Sequence, residues 1–558
     1  MTQTLHGIGV SPGTAAGPVV QVAPPLQPPA DESSATDIAA ALESVKEALE
    51  SVAADLDRRA AAAGKDAKAI LTATAQMARD KGLIKAAGVH LKAGKGPANS
   101  IALSIEEYAT QFEKLGGYFA ERVTDLRDVG ARGVAAVLGV PAPGVPSFDV
   151  PSVIVAHDLA PAETVTLDRA LVLGIVTQGG GRTSHTAILA AQMGIPAVVQ
   201  VAEATNIAAG TVIAIDGDTG EVTLDPDDSL LADQVERRAR RLEAFGRVSG
   251  PGATKDGHPV ALLANIGGVD DAERAAAEDV EGVGLFRTEF VFLSATNAPT
   301  VAEQAEIYRA VLAPFGTRRV VVRTLDAGAD KPLAFADLGP EDNPALGRRG
   351  LRLSVAKPEL LEAQLEALAL AANDTEADVR VMAPMVATAA EAVWFAKRVH
   401  AAGLKKAGVM IEVPAAALRS EHVLAHVDFG SLGTNDLAQY TMAADRMQGE
   451  LSDLLDPWQP AVLDMIAAAC EGAARVGRPI GVCGEAAGEP LLALVLAGLG
   501  VSSLSMATSK VPAVRVALAT HTLAQCRELA AIARRAVDSD TAASSVREHA
   551  SAELTDLL

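Results

Sequence analysis

The spacing of apolar positions changes several times along the chain, and each change predicts a different kind of element. Between residues 5 and 22 apolar and small residues alternate with Gly and Pro, as a short strand does, and a hinge with Pro24, Pro25, Pro28 and Pro29 follows. From Asp37 the period lengthens: Ile38, Leu42, Val45, Leu49, Val52 and Leu56 recur at spacings of three and four, which lines one face of a helix. Gly64 breaks this pattern, a second helical stretch runs from near Ala67 to about Ala87, and after Gly94, Gly96 and Pro97 a further run reaches about Leu138. These alanine-rich segments predict an antiparallel helical bundle with no catalytic constellation of its own.

Past Pro141–Pro146 the rhythm turns to short β-branched runs, SVIVAHDL, RALVLGIVTQ, IPAVVQV and TVIAIDG, separated by turns and one helix. They predict a compact α/β unit that closes near Asp225, followed by a charged linker helix from Asp233 to Phe245. From Val260 onward strand-like and helical patterns alternate about eight times. The strand-like runs are ALLANI, VGLFRTE, VVVRTLD, a weak one near Gly350 to Leu353, VRVMAPM, GVMIEVP, FGSLGTND and IGVCGE. That count predicts a C-terminal (β/α)8 barrel, whose functional groups belong at the carboxyl ends of the strands. Those ends carry Asn265, Arg287, Arg323, Asp326, Glu412, Asn435, Asp436 and Cys483. The whole is an α/β multidomain protein. Its expected divisions are 1–30, the N-terminal strand of the α/β domain; 31–143, an inserted helical subdomain; 144–228, the rest of the α/β domain; 229–252, the linker helix; and 253–558, the barrel.

Composition narrows the function classes. The chain has 558 residues, of which 49% are apolar and only 3% aromatic, so its cores are built mainly of Ala, Val and Leu. A formal charge of −22, with no basic run, argues against nucleic-acid binding. Three cysteines, at 470, 483 and 526, make no disulfide framework and fit no zinc spacing, which predicts a reducing, cytoplasmic setting. The N-terminus has neither the basic nor the apolar region of a signal peptide, and the longest apolar stretch, Leu491–Val501, is too short for a bilayer and reads as a barrel or core helix.

Two places carry chemistry. The segment GGGRTSHTAILAA, Gly179 to Ala191, follows a strand and opens a helix. Its glycines expose backbone N–H groups, and the helix start adds a positive dipole end, a setting for an anion. His185 there is biased towards the neutral, nucleophilic imidazole, and Arg182 stands ready to meet any phosphoryl group it receives. The second place is the barrel mouth. Guanidinium forks at Arg287 and Arg323 suit phosphate and carboxylate; Arg349 reads either as a ligand-binding group or as a helix-surface charge. Lys331 lies beside the Arg323 loop, and Arg446 is placed to clamp from a neighbouring loop. Glu412 and Asp436 are two carboxylates of the sort that hold Mg2+ together with substrate oxygens and water, the plainer reading being salt bridges to the site arginines. Cys483, a thiol facing the barrel mouth, is placed to hand a proton to an enolate.

Together these motifs resemble Enzyme I of the bacterial phosphotransferase system, the phosphoenolpyruvate–protein phosphotransferase family, over essentially the whole chain. GGRTSHTAILA is similar to that family's phosphohistidine signature. GVGLFRTEF, VVRTLDAGADKPL, NPALGRRGLR, GVMIEVPAAAL, DFGSLGTNDLAQYTMAADR and GVCGEAAGE are similar to its barrel motifs, in its order, and ERVTDLRDVGAR to its helical part. The resemblance implies phosphorylation of His185 at Nε2, with Thr164 as its hydrogen-bond partner. It implies phosphoenolpyruvate binding by Arg287, Arg323, Arg349, Asn435, Asp436 and Arg446, Mg2+ on Glu412 and Asp436, and Cys483 as the acid that makes pyruvate. It further implies a helical subdomain that docks the carrier HPr, a barrel that dimerises, and a place in sugar uptake. The chain departs from the family around Ile70 to Asp80, where ILTATAQMARD lacks an expected acidic residue. Pyruvate phosphate dikinase and phosphoenolpyruvate synthase resemble the same histidine domain and barrel, but they need a nucleotide-binding domain ahead of the histidine that this sequence lacks. A non-catalytic phosphoenolpyruvate sensor would be expected to lose His185 or a metal carboxylate, and this chain keeps both.

Overall fold

The parallel pairing of two strands far apart in sequence organises the first half of the molecule. In the computed structural model, strand β3 (Thr14–Gln21) lies beside β4 (Ser152–Ala156) in parallel register, Val19 opposite Val153 and Gln21 opposite Val155. Parallel neighbours require a crossover, and here it contains the whole helical bundle. The structure describes residues 3–557 apart from 12, 23–27, 30, 63–64, 116–121, 141–142, 147, 160–166, 169, 182–185, 188–189, 191–193, 218, 293–296, 328–332, 337, 340 and 447; at some further helical positions it describes the backbone alone. Met1–Arg238 and Ala239–Leu558 are two separate compact units.

In the first unit β1 (Gln3–His6), β2 (Ile8–Ser11), β5 (Val172–Thr177), β6 (Ala197–Val199), β7 (Val212–Asp216) and β8 (Glu221–Leu224) join β3 and β4 in one sheet, ordered β1-β8-β7-β3-β4-β5-β6-β2. The N-terminal stretch thus makes three strands where its alternation suggests one: the glycines at 7 and 13 divide it, and Gly13 has φ +117°. The central strands are parallel and covered on both faces. Val153, Val155, Val176 and Val198 enter one core, and their neighbours Ile154, Ala156, Ile175 and Ala197 enter the other.

The crossover carries α1 (Ile38–Ala62), α2 (Lys65–Ala78), α3 (Lys81–Lys92), α4 (Pro97–Leu115) and α5 (Val123–Leu138). Val45, Leu49, Val52 and Leu56, four of the six positions singled out by periodicity, are buried against Leu71, Leu83, Leu91, Ile101 and Leu126. Each such leucine contributes roughly 1.5–3 kcal/mol against the entropy of ordering the chain. Gly130 lets α5 approach α4, since a Cβ there would lie 2.7 Å from Ile105. Asp80, the one acid of ILTATAQMARD, is the N-cap of α3, its carboxylate accepting from the N–H groups of Gly82 and Leu83. A long helix, Asp228–Arg247, follows β8.

The second unit is a closed barrel of eight parallel strands: β9 (Ala261–Ile266), β10 (Gly282–Arg287), β11 (Arg319–Arg323), β12 (Asp378–Ala383), β13 (Ala407–Ile411), β14 (Phe429–Leu432), β15 (Ile480–Val482) and β16 (Ser503–Met506). Two expectations are corrected. The weak strand near Gly350 to Leu353 is instead the start of a helix, Leu351–Ala356, and the strand that closes the barrel is β16, paired with β15 and β9. Cys483 therefore follows the seventh strand, and the last is one further on. SLSM escapes a search for continuous apolar runs because its serines alternate with Leu504 and Met506. The barrel interior holds Leu285, Val321, Met382, Met410, Phe429 and Cys483, while the alternate strand residues pack outward under the helices. The apolar stretch at Leu491 lies in the buried helix Pro490–Leu499, and no described helix is long and apolar enough to cross a membrane.

Candidate functional site

The carboxyl ends of the barrel strands place most of the polar residues singled out above within one buried cluster. Arg287 and Arg323 are the last residues of β10 and β11, Glu412 follows β13, and Cys483 follows β15. Asn435 and Asp436 open the helix Thr434–Met442 behind β14, Arg349 stands just before Leu351–Ala356, and Arg446 lies in the turn beyond Met442.

Val283, Leu285 and Phe286 precede Arg287 in its strand and Val320, Val321 and Val322 precede Arg323, so these cations are carried to the mouth by core packing. Arg323 is 6% exposed and is paired with Glu289, Nη2 to Oε1 at 2.5 Å, and with Asp326, Nη1 to Oδ2 at 3.2 Å. Arg349, 4% exposed, reaches Asp326 with Nη2 at 2.9 Å and Nε at 3.3 Å, and Asp436 with Nη1 at 2.9 Å. Nη1 also donates to the Tyr440 hydroxyl at 3.3 Å. Arg446 stands 3.9 Å from the other Asp436 oxygen, and its backbone N–H donates to Gln439. Arg287 is half-buried and has no ion pair with a described residue. Burial works against the guanidinium charges of Arg323 and Arg349, but the carboxylates around them win, so both are held above the ordinary arginine value.

Glu412 is fully buried. Its Oε1 accepts the Met385 N–H at 2.6 Å, made possible by a left-handed Met385 backbone at φ +59°. Its Oε2 has no partner among the described residues. Burial first, then the neighbouring Asp436 and Asp326, push this carboxyl well above the usual range. Gly433 keeps the space beside it open, because a Cβ there would lie 2.6 Å from Oε2. An orphaned buried carboxylate oxygen beside a second carboxylate suits a hard divalent cation. Among the described residues no group of three or more acidic, His or Cys side chains could hold a metal, so further ligands would come from substrate and water.

Cys483 is buried, with Sγ 3.5 Å from the Leu432 carbonyl, and its backbone carbonyl accepts from Asn265 Nδ2 at 3.2 Å. Burial pushes its thiol up to about 11, so it holds its proton at neutral pH. Asn435 accepts weakly from the Glu485 N–H at 3.4 Å. Asn265 itself is tied to Ser505, which fixes the closing strand to the mouth.

His185, Arg182, Thr164 and Lys331 lie outside the described residues. Around the first three, β5 ends at Thr177 and hands over to the glycine run. Gly180 has φ +84°, its carbonyl accepts from the Gln200 side chain, and the buried Thr186 hydroxyl donates to Asp158 at 3.1 Å. Glu289 was not legible as a site residue, and Asp326 was legible only as a polar strand end; the available signal was an acid two residues past Arg287 and three past Arg323.

Comparison with known proteins agrees with this arrangement. Residues 244–523 match the model of the PEP-utilising enzyme, PEP-binding domain; residues 148–220 match its mobile domain, and 6–122 its N-terminal domain. A phosphoenolpyruvate-protein phosphotransferase of Streptomyces coelicolor is 51% identical over 97% of both chains. The chain belongs to the phosphoenolpyruvate-protein phosphotransferase family. A member from Haloferax volcanii is 37% identical over 97% of this chain and 98% of its own. A multiphosphoryl transfer protein of Xanthomonas campestris is 38% identical, covering 94% of this chain and 64% of its own. Three adjacent family models in one order fit an N-terminal part, a mobile part and a substrate-binding barrel, and the family is consistent with a metal cofactor.

Proposed function

We propose that the chain transfers the phosphoryl group of phosphoenolpyruvate to His185 Nε2 and from there to the carrier protein HPr, releasing pyruvate, as the first general step of a sugar phosphotransferase system. The observation that carries this reading is the buried meeting of Arg323, Arg349, Glu412 and Asp436 at one barrel mouth. Arg287, Arg323, Arg349 and Arg446 bind and orient the phosphate and carboxylate of the substrate, with Asn435 and Asp436 completing the ring and Lys331 beside it. Glu412 and Asp436 hold Mg2+, which when bound draws charge from the phosphoryl oxygens.

The neutral His185 imidazole attacks phosphorus, the P–O bond to the enol breaks, and the electron pair stays on the enolate oxygen. Arg182 and the helix-start N–H groups meet the phosphoryl group on the imidazole, and Thr164 orients the ring. The Cys483 thiol gives its proton to the methylene carbon of the enolate, producing pyruvate, and is reprotonated from solvent. HPr, docked on the helical subdomain, then takes the phosphoryl group from His185. On this reading the protein is cytoplasmic and its barrel forms a homodimer.

The full chain incubated with labelled phosphoenolpyruvate and Mg2+ is expected to yield an acid-labile, base-stable phosphoprotein that passes its label to HPr. Equal labelling of the wild type and His185→Ala would overturn the reading. Arg323→Ala is expected to slow phosphorylation roughly 10³-fold, and a loss under about tenfold would remove Arg323 from the machinery.

A further inference from the structure

A site for a highly anionic substrate would be expected to present its cations openly, yet this one keeps Arg323 and Arg349 tied to acids. Arg323 and Arg349 come from different segments, one from a strand and one from the connection after it, and both end on the same side chain, Asp326. Asp326 is 5% exposed. Its Oδ2 takes Arg323 Nη1 at 3.2 Å and Arg349 Nη2 at 2.9 Å, and its Oδ1 takes Arg349 Nε at 3.3 Å. The contact with Arg349 is a two-point fork, which fixes the plane of the guanidinium as well as its position.

The surroundings leave the carboxylate little room. Gly350, at φ +57°, brings backbone against it: a Cβ there would lie 3.3 Å from Oδ1 and 2.9 Å from Met385. Held in this way, each arginine keeps a face for another anion. Arg323 Nε is buried and has no partner among the described residues. Arg349 Nη1 points away from Asp326 to Asp436, which also faces Arg446. Buried charge networks seldom stabilise a fold more than apolar packing of the same volume would, so an acid between two arginines needs a reason beyond stability.

From this geometry we infer that Asp326 is the positioning residue of the site, fixing the guanidiniums of Arg323 and Arg349 in one orientation before the phosphate and carboxylate of the substrate arrive. The inference rests on the proposed reading of the barrel as the phosphoenolpyruvate site. Asp326 touches the arginines and acts through them. A site held within about half an ångström loses on the order of 100-fold in rate when misplaced by about one. Removing the acid also leaves one more positive charge for an anionic substrate, which offsets loss of affinity. The consequence is a split: the rate falls and the half-saturating concentration hardly moves.

Single-turnover phosphorylation of the full chain by labelled phosphoenolpyruvate with Mg2+ reads both quantities, with rates normalised to the phosphorylatable fraction. Asp326→Asn is expected to lower the maximal rate about 100-fold while the half-saturating concentration changes less than about threefold. Asp326→Glu keeps the charge and is expected to recover part of the rate. If Asp326→Asn fails to fold, Asp326→Glu alone still decides, because a maximal rate equal to wild type would overturn the inference. So would an Asn variant whose surviving phosphorylatable molecules react at the wild-type rate, since that loss is structural only. A wild type that takes no label overturns the functional reading and the inference with it; a labelled wild type beside an unimpaired Asp326→Asn overturns the inference alone.

Discussion

Arg349→Met takes from two buried acids the cation they share. The guanidinium is 4% exposed and faces Asp326, 5% exposed, and Asp436, 6% exposed, at 2.9 Å each. Methionine fills most of the volume, so the cavity term is small and the cost is electrostatic. Breaking a buried pair by removing one partner costs about 3–5 kcal/mol. At about 2 °C per kcal/mol for a large domain, the barrel transition in calorimetry is expected to fall by about 6–10 °C at pH 8. The loss depends on pH with a definite sign. Arg349 is one of two cations that oppose the upward push of burial and acidic neighbours on the Glu412 carboxyl, so without it that already raised carboxyl rises further above its unfolded value. A carboxyl so raised is tolerated when protonated and destabilises the fold as pH rises through its folded pKa. The deficit relative to wild type is therefore expected to be smaller at pH 5 than at pH 8. A drop under about 2 °C would refute the argument that Arg349 holds both acids, and a deficit that does not change between those pH values would refute its hold on Glu412.

Cys483→Ala is expected to slow pyruvate formation while leaving phosphoenolpyruvate binding in place; unchanged turnover would make Cys483 a packing residue only. Because burial pushes that thiol up to about 11, its alkylation by iodoacetamide in the wild type is expected to stay slow through pH 9 and rise towards pH 11. A thiol that reacts as fast as free cysteine at pH 8 would contradict this. Gly433→Ala places a Cβ 2.6 Å from Glu412 Oε2. It is expected to raise the Mg2+ concentration required for phosphorylation by about tenfold or more, the scale typical of disturbed metal ligands, and an unchanged Mg2+ requirement would show that Oε2 is not a ligand.

The barrel, the bundle and the polar strand ends were legible because each depends on local periodicity. Val45, Leu49, Val52 and Leu56 lie on one helical face whatever surrounds them, and Arg287 and Arg323 follow apolar runs that can only be strands of a covered sheet. Gly350 to Leu353 and Ser503–Met506 were not legible, for opposite reasons. The first has apolar residues at alternate positions, but its backbone leaves a left-handed Gly350 and turns into a helix. The second has alternating serines, and it is a strand because β15 and β9 offer it edges on both sides. Closure of a barrel is a long-range demand, and no window of a few residues records it.

The same division holds at the site. The sequence by itself determined which residue types stand at the strand ends, since a cation or an acid after an apolar run is a property of neighbouring positions. Only the tertiary structure decided their partners. Asp326 and Arg349 are separated by 23 positions, and Arg349 and Asp436 by 87, yet each pair meets within 2.9 Å. Charge pairing at such distances is set by the barrel that brings the segments together, and the low polarity of the buried mouth then makes each pairing strong enough to orient the next.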